Sequence, residues 1–150
     1  MWRTESLSNP FKFDLPAGWE DQTVYNFIGP EACGIRHSLR LMIDRHLQLE
    51  AVQDYARQQT APIVESLQGV EVLKDEEVTI ENGNPCWEFV YKWTPSDERT
   101  TFQKHVFVVK DGMGFNFAAS FTKNTIKTVG SQLYDIVDSL LPGTYYPIDD

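Results

Sequence analysis

Short alternating runs of apolar and polar residues, separated by Pro and Gly turns, fill most of this chain, and two longer stretches repeat with a helical period. Alternation places successive side chains on opposite faces of a strand; apolar residues three and four apart form one stripe of a helix. On that basis residues 11–15, Phe11 to Leu15, predict a first strand stopped by Pro16. Residues 22–28 predict a second, with Tyr25 and Phe27 on one face and Val24, Asn26 and Ile28 on the other, ended by Gly29-Pro30. Residues 38–44 predict a third, with Leu39, Leu41 and Ile43 opposite Arg40 and Met42. A helix follows over residues 49–68. Its stripe is Leu49, Val52, Ala56, Ile63 and Leu67, with Gln59 on the same side. Pro62 removes a backbone donor and predicts a kink or two shorter helices, and Gly69 is the expected C′ residue.

The second half reads as strands over 70–74, 76–80, 86–93, 100–109 and 115–121, joined by turns at Asn82-Gly83, Thr94-Pro95 and Asp111-Gly112. Trp87, Phe89, Tyr91 and Trp93 share a face and read as core packed against helices. Phe115, Phe117, Ala119 and Phe121 share another, opposite Asn116, Ala118 and Ser120. A last helix is expected over 125–141 with Asn124 as its N-cap and Ile126, Val129, Leu133, Ile136, Val137 and Leu140 as its buried stripe. Tight turns between neighbouring strands produce antiparallel pairing. The expected class is therefore α+β: an antiparallel sheet of six to eight strands packed with two main helices, in one domain over residues 1–150, with 144–150 a loose tail.

Composition narrows the function more than the fold. Thirteen basic against 22 acidic residues leave a net charge of −9, which argues against nucleic acid or anionic lipid as partner, since phosphate binding needs a basic footprint. There is no run of 18 apolar residues and no basic-then-apolar leader, so a cytoplasmic protein that does not insert into membranes is expected. Cys33 and Cys86 lack metal-site spacing; one disulfide between them is conceivable, and the reduced state is the expectation for that compartment.

The search for catalytic motifs is negative. No phosphate loop and no Gly-x-Ser-x-Gly elbow occurs. His37 and His46 fall at opposite ends of one strand, and a set drawn from Cys86, His105 and any acid is easy to compose by chance. Asp75-Glu76-Glu77 reads as a solvated strand edge. No catalytic residue, metal or cofactor is expected. What stands out is a sheet face on which Val24, Asn26, Ile28, Asn116, Ala118 and Ser120 are all uncharged and mostly small, where a solvated face would carry Lys, Glu and Thr. Either this chain or a dimer partner covers it, or it is a groove for something else.

The run Leu15-Pro16-Ala17-Gly18-Trp19-Glu20-Asp21-Gln22-Thr23-Val24, the spacing Tyr55…Gln59…Leu67-Gln68-Gly69, the pair Tyr91 and Trp93, and the strand Lys104-His105-Val106-Phe107-Val108 resemble, in order and spacing, the DcrB-related domains. The resemblance covers nearly the whole chain. It implies the PsbP/Mog-like fold. It points to the cytoplasmic Eag branch, adaptor-chaperones that act as dimers, hold the N-terminal transmembrane helices of a toxin effector, and keep them soluble until loading onto a type VI secretion spike. By position it implies a client groove containing Val24, Asn26, Gln59, Leu67 and His105; Ile28, Asn116 and Ala118 join it from the uncharged sheet face. The chain departs from the family pattern with Asn26 for an aliphatic residue, His105 for Gln, and Leu67-Gln68-Gly69 for Leu-Pro-Gly. Two other readings stay open: a general interaction module binding a folded partner, and a small hydrolase using Cys86 or His105.

Overall fold

The computed structural model describes residues 11, 13–32, 34–81, 83–94 and 100–140. Six strands, β1 (Val24–Ala32), β2 (Ile35–Asp44), β3 (Glu71–Thr79), β4 (Pro85–Trp93), β5 (Thr101–Lys110) and β6 (Met113–Phe121), form one sheet in the order β1-β2-β6-β5-β4-β3. Every ladder is antiparallel. Two helices, α1 (Val52–Ser66) and α2 (Gln132–Asp138), cover opposite faces, and the fold is α+β.

Phe27, Leu39, Leu41, Val106, Val108, Phe115 and Phe117 occupy one face and pack beneath Leu133 and Val137 of α2. The other face carries Trp87, Phe89, Tyr91 and Phe107 under Val52, Tyr55 and Ala56 of α1. Helix α1 sits mainly over β4 and β5. Gly114 is what lets it approach: a Cβ there would meet the Tyr55 ring at 2.6–2.9 Å, and that ring is only 1% exposed and lies edge-on to Phe107. Gly114→Ala is therefore expected to lower stability by about 1–3 kcal/mol through overpacking, read as a shifted urea midpoint with an unchanged slope.

Several expectations are corrected. Residues 11–15 alternate, but the described ones, Phe11 and residues 13–15, join no ladder; Phe11 and Phe13 are exposed and stack on each other at 5.5 Å. A type II turn, closed by Trp19 N–H donating to Pro16 O with Gly18 at φ 92°, separates them from β1, so no hairpin register exists for them. Strand β1 runs through Gly29-Pro30 because, as an edge strand, it tolerates a missing donor at a bulge. The two strands expected over 70–80 are one, with a bulge between Val72 and Lys74 rather than a break at Asp75. Pro62 lies inside one continuous α1, and Gly69, at φ 76°, falls one position beyond C′.

The last helix is much shorter than residues 125–141. The Thr125 hydroxyl accepts from the Thr122 backbone N–H and the Thr128 hydroxyl donates to Thr125 O, so turns and a 3-10 segment over Val129–Ser131 precede α2, and Asn124 does not cap it. Asp111 (φ 53°) and Gly112 (φ 74°) make the tight turn expected of them. Cys33, Asn82, residues 95–97 and the tail 144–150 lie outside the described residues.

Candidate functional site

Antiparallel register arranges the α1 face into rows running across the sheet. One row is Val24–Met42–Asn116–Phe107–Trp87–Glu77; the next is Asn26–Arg40–Ala118–His105–Phe89–Asp75. Ile28 opposes Ser38, and Ser120 follows on β6 to complete a third. Helix α1 covers the β3-β4-β5 half of these rows and leaves the β1-β2-β6 half open. There Val24 is 46% and Ile28 62% exposed, two aliphatic side chains on one open face.

All eight residues singled out from the sequence fall on this face or on its covering helix. Val24, Asn26, Ile28 and Ala118 belong to the open half. Asn116 and His105 mark its border, buried, with His105 Nδ1 3.1 Å from Asn116 Oδ1; the imidazole donates when its proton is on Nδ1. Arg57 projects toward β3, paired with Asp75 and lying 5.3 Å over the Trp87 ring. At 3.6 residues per turn, half-buried Gln59 then lies on the opposite flank of α1, toward the open half. Leu67, at the α1 C-cap, instead packs half-buried into the cluster of Trp87, Phe89 and Tyr91.

Residue reading missed part of β2. Because β2 lies between β1 and β6, Ser38, Arg40 and Met42 occupy the middle of the open half, and the face is not free of charge. The signal was present, since residues joined by a short turn are neighbours and Arg40 and Met42 already shared a face.

Burial depresses the pKa of His105, with the Asn116 bond opposing it. The unfolded chain, with an ordinary histidine near 6.5, therefore binds more protons just below that pH. Stability is expected to fall as pH drops from neutral through 6.5 toward the folded pKa, and His105→Gln should flatten that part of a denaturation–pH profile.

The hydrolase set does not assemble. Cys86 lies on the α2 face and His105 on the α1 face. Burial, with a smaller push from Asp138, raises the Cys86 thiol to about 11, which suppresses the thiolate. No group of metal-ligating side chains forms among the described residues, and no helix among them is long and apolar enough to cross a membrane. The cleft between β1–β2 and α2, lined by Phe27, Leu39, Phe121, Leu133 and Ile136, encloses about 160 Å³. That accommodates side chains but not a helix about 10 Å wide.

The motif near the N-terminus proves to be turn chemistry. Asp21 Oδ1 accepts from both the backbone N–H (3.0 Å) and the hydroxyl of Thr23, which lowers its pKa and fixes the entry to β1.

The family model described as DcrB matches residues 12–139. No curated protein matches the chain. Among solved structures, the crystal structure of PA94 from Pseudomonas aeruginosa, a protein of unknown function, aligns with a TM-score of 0.70 at 18% identity, covering 87% of this chain and 90% of that one. The solution structure of cyanobacterial PsbP from Synechocystis sp. PCC 6803 aligns at 0.47 and 19% identity, covering 69% and 65%. LpqN of Mycobacterium tuberculosis, involved in cell envelope biogenesis, aligns at 0.48 and 13%, covering 80% of each chain. At these identities the first shows a shared fold.

Proposed function

As the chain belongs to the DcrB family, we propose that it is a non-enzymatic cytoplasmic chaperone and adaptor, acting as a homodimer, that shields the N-terminal transmembrane helices of a secreted toxin effector and delivers them to a type VI secretion spike. The observation that carries this reading is the open half of the α1 face. Aliphatic Val24 and Ile28, the thioether Met42 and the small residues Ala118, Ser38 and Ser120 stand there beside a helix flank that offers Gln59. A transmembrane helix in water exposes a long apolar surface that must be covered. Small side chains let a helix approach closely, and amides can satisfy its polar groups as neighbouring helices do in a bilayer. The acidic body, at net charge −9, keeps the loaded complex soluble and attracts basic flanks of the client.

The test is detergent-free size-exclusion chromatography of the protein mixed with a labelled synthetic transmembrane helix. Co-elution of peptide with a dimer-sized peak supports the reading; precipitated peptide with the protein eluting alone overturns it. Phe11, Phe13, Leu15 and Trp19, all exposed ahead of β1, favour a second reading, a module that binds a folded partner. Under that reading the peptide stays insoluble.

A further inference from the structure

Arg40 is at the centre of the open half of the sheet. Asn26 and Ala118 are its cross-strand neighbours, Ser38 and Met42 flank it along β2, and its four diagonal neighbours are also uncharged. Its side chain is exposed and forms no ion pair with any described residue, whereas Arg45, Arg57, Lys74, Lys92 and Lys104 all pair with a carboxylate. A guanidinium in that position is hydrated as long as the face is open. Once an apolar helix lies across the face, the water is displaced and the charge must be met by the occupant. An unmet charge in a desolvated contact is strongly unfavourable, while a carboxylate can bind the planar fork of an arginine with two parallel hydrogen bonds.

We propose that Arg40 selects the client: the helix received on this face carries an Asp or Glu within its apolar stretch, placed to pair with Arg40. This rests on the chaperone reading above. The selection works in both directions. An acidic residue inside an apolar span needs a partner when shielded from water, as it does within a membrane, and Arg40 needs an anion. A purely apolar helix leaves Arg40 unpaired, and a helix with a Lys at the same place adds repulsion.

The experiment compares labelled leucine–alanine helices of about 20 residues, identical except for a central Asp, Asn, Ala or Lys, titrated onto the full chain and onto Arg40→Met and Arg40→Gln. The expected result is an affinity order Asp, Asn, Ala, Lys for the unaltered protein, with Asp about tenfold tighter than Ala, and loss of that preference in both variants with the Ala peptide bound more tightly than before. Arg40→Lys should keep a weaker preference for Asp, because an ammonium cannot offer the bidentate fork. Equal binding of the Asp and Ala peptides by the unaltered protein overturns the role of Arg40 while the chaperone reading stands. So does an Asp preference that persists in Arg40→Met. If no peptide is bound by any version, the chaperone reading fails and this inference fails with it. Unchanged thermal midpoints in the variants, expected for an exposed side chain, separate lost selection from lost folding.

Discussion

Val24→Asp is expected to weaken binding of an apolar helix by about a hundredfold, near 3 kcal/mol, because the new carboxylate would be desolvated under the client and Arg40, its diagonal neighbour, offsets only part of that cost. Ile28→Asp should behave in the same way. Both side chains are largely exposed in the free protein, so thermal stability should change by no more than about 1 kcal/mol, the range of strand propensity on an edge strand. Leu67→Asp reads differently. Leu67 is half-buried against the α1 cluster, so the substitution should lower stability as well as binding. Detergent-free co-elution of labelled helix, run beside a thermal melt for each variant, measures both quantities. Retention of helix by both Val24→Asp and Ile28→Asp at unaltered affinity would remove the open half of the sheet as the contact surface. Arg40 offers a complication that can be used: on Arg40→Met, which removes the cation diagonal to Val24, the Val24→Asp defect should deepen.

The second large effect lies on the other face. Glu88, on β4, is buried with its side chain 1% exposed, and neither carboxylate oxygen accepts a hydrogen bond from a described residue. Lys74 at 3.2 Å and Lys104 at 3.8 Å neutralise it. The two lysines are not equivalent. Lys74 is 56% exposed and its attraction is screened by solvent, whereas Lys104 is buried, stands 3.9 Å over the Tyr134 ring and donates to Gly130 O. Burial lowers the pKa of Lys104, Glu88 opposes that, and Lys74 adds to it. Removing one member of such a buried pair leaves an uncompensated charge. Lys104→Met is therefore expected to destabilise by about 3–5 kcal/mol, and Glu88→Leu by a similar amount, while the double variant should recover most of the loss or exceed the original stability. A double-mutant cycle by urea denaturation measures this. Additive losses in the double variant would show that the pair is not coupled.

Sequence alternation assigned faces well because the strand period admits only two sides. Trp87, Phe89 and Tyr91 lie together under α1, and Phe115, Phe117 and Phe121 lie together opposite them. Alternation cannot report pairing, however. Phe11 to Leu15 has the pattern, yet its described residues pair with no strand, and only the sheet order brings Arg40 between Asn26 and Ala118. The family resemblance placed Gln59 and His105 beside the open half, but it had no term for Arg40. Glu88 is visible in the sequence as a lone acid within the apolar strand Cys86 to Tyr91, but its lysine partners come from β3 and β5, which no local pattern connects. The short α2 was hidden because Ile126 and Val129 continue its apolar stripe by spacing, while the hydroxyls of the neighbouring Thr125 and Thr128 favour turns.

The place of β2 beside β6 also bears on the order in which the molecule assembles. Strands β3 to β6 form a meander of neighbours in sequence, so their ladders close over short stretches of chain. The β2–β6 ladder joins residues separated by about half of the chain, with Leu41 opposite Phe117, and it is the strand pairing that attaches the β1–β2 hairpin to the rest. Loop-closure entropy is therefore concentrated at the seam that crosses the open face. In amide exchange, β1 and β2 should open at lower free energy than β4 and β5, and an occupant spanning β1, β2 and β6 would slow that opening by bridging the seam.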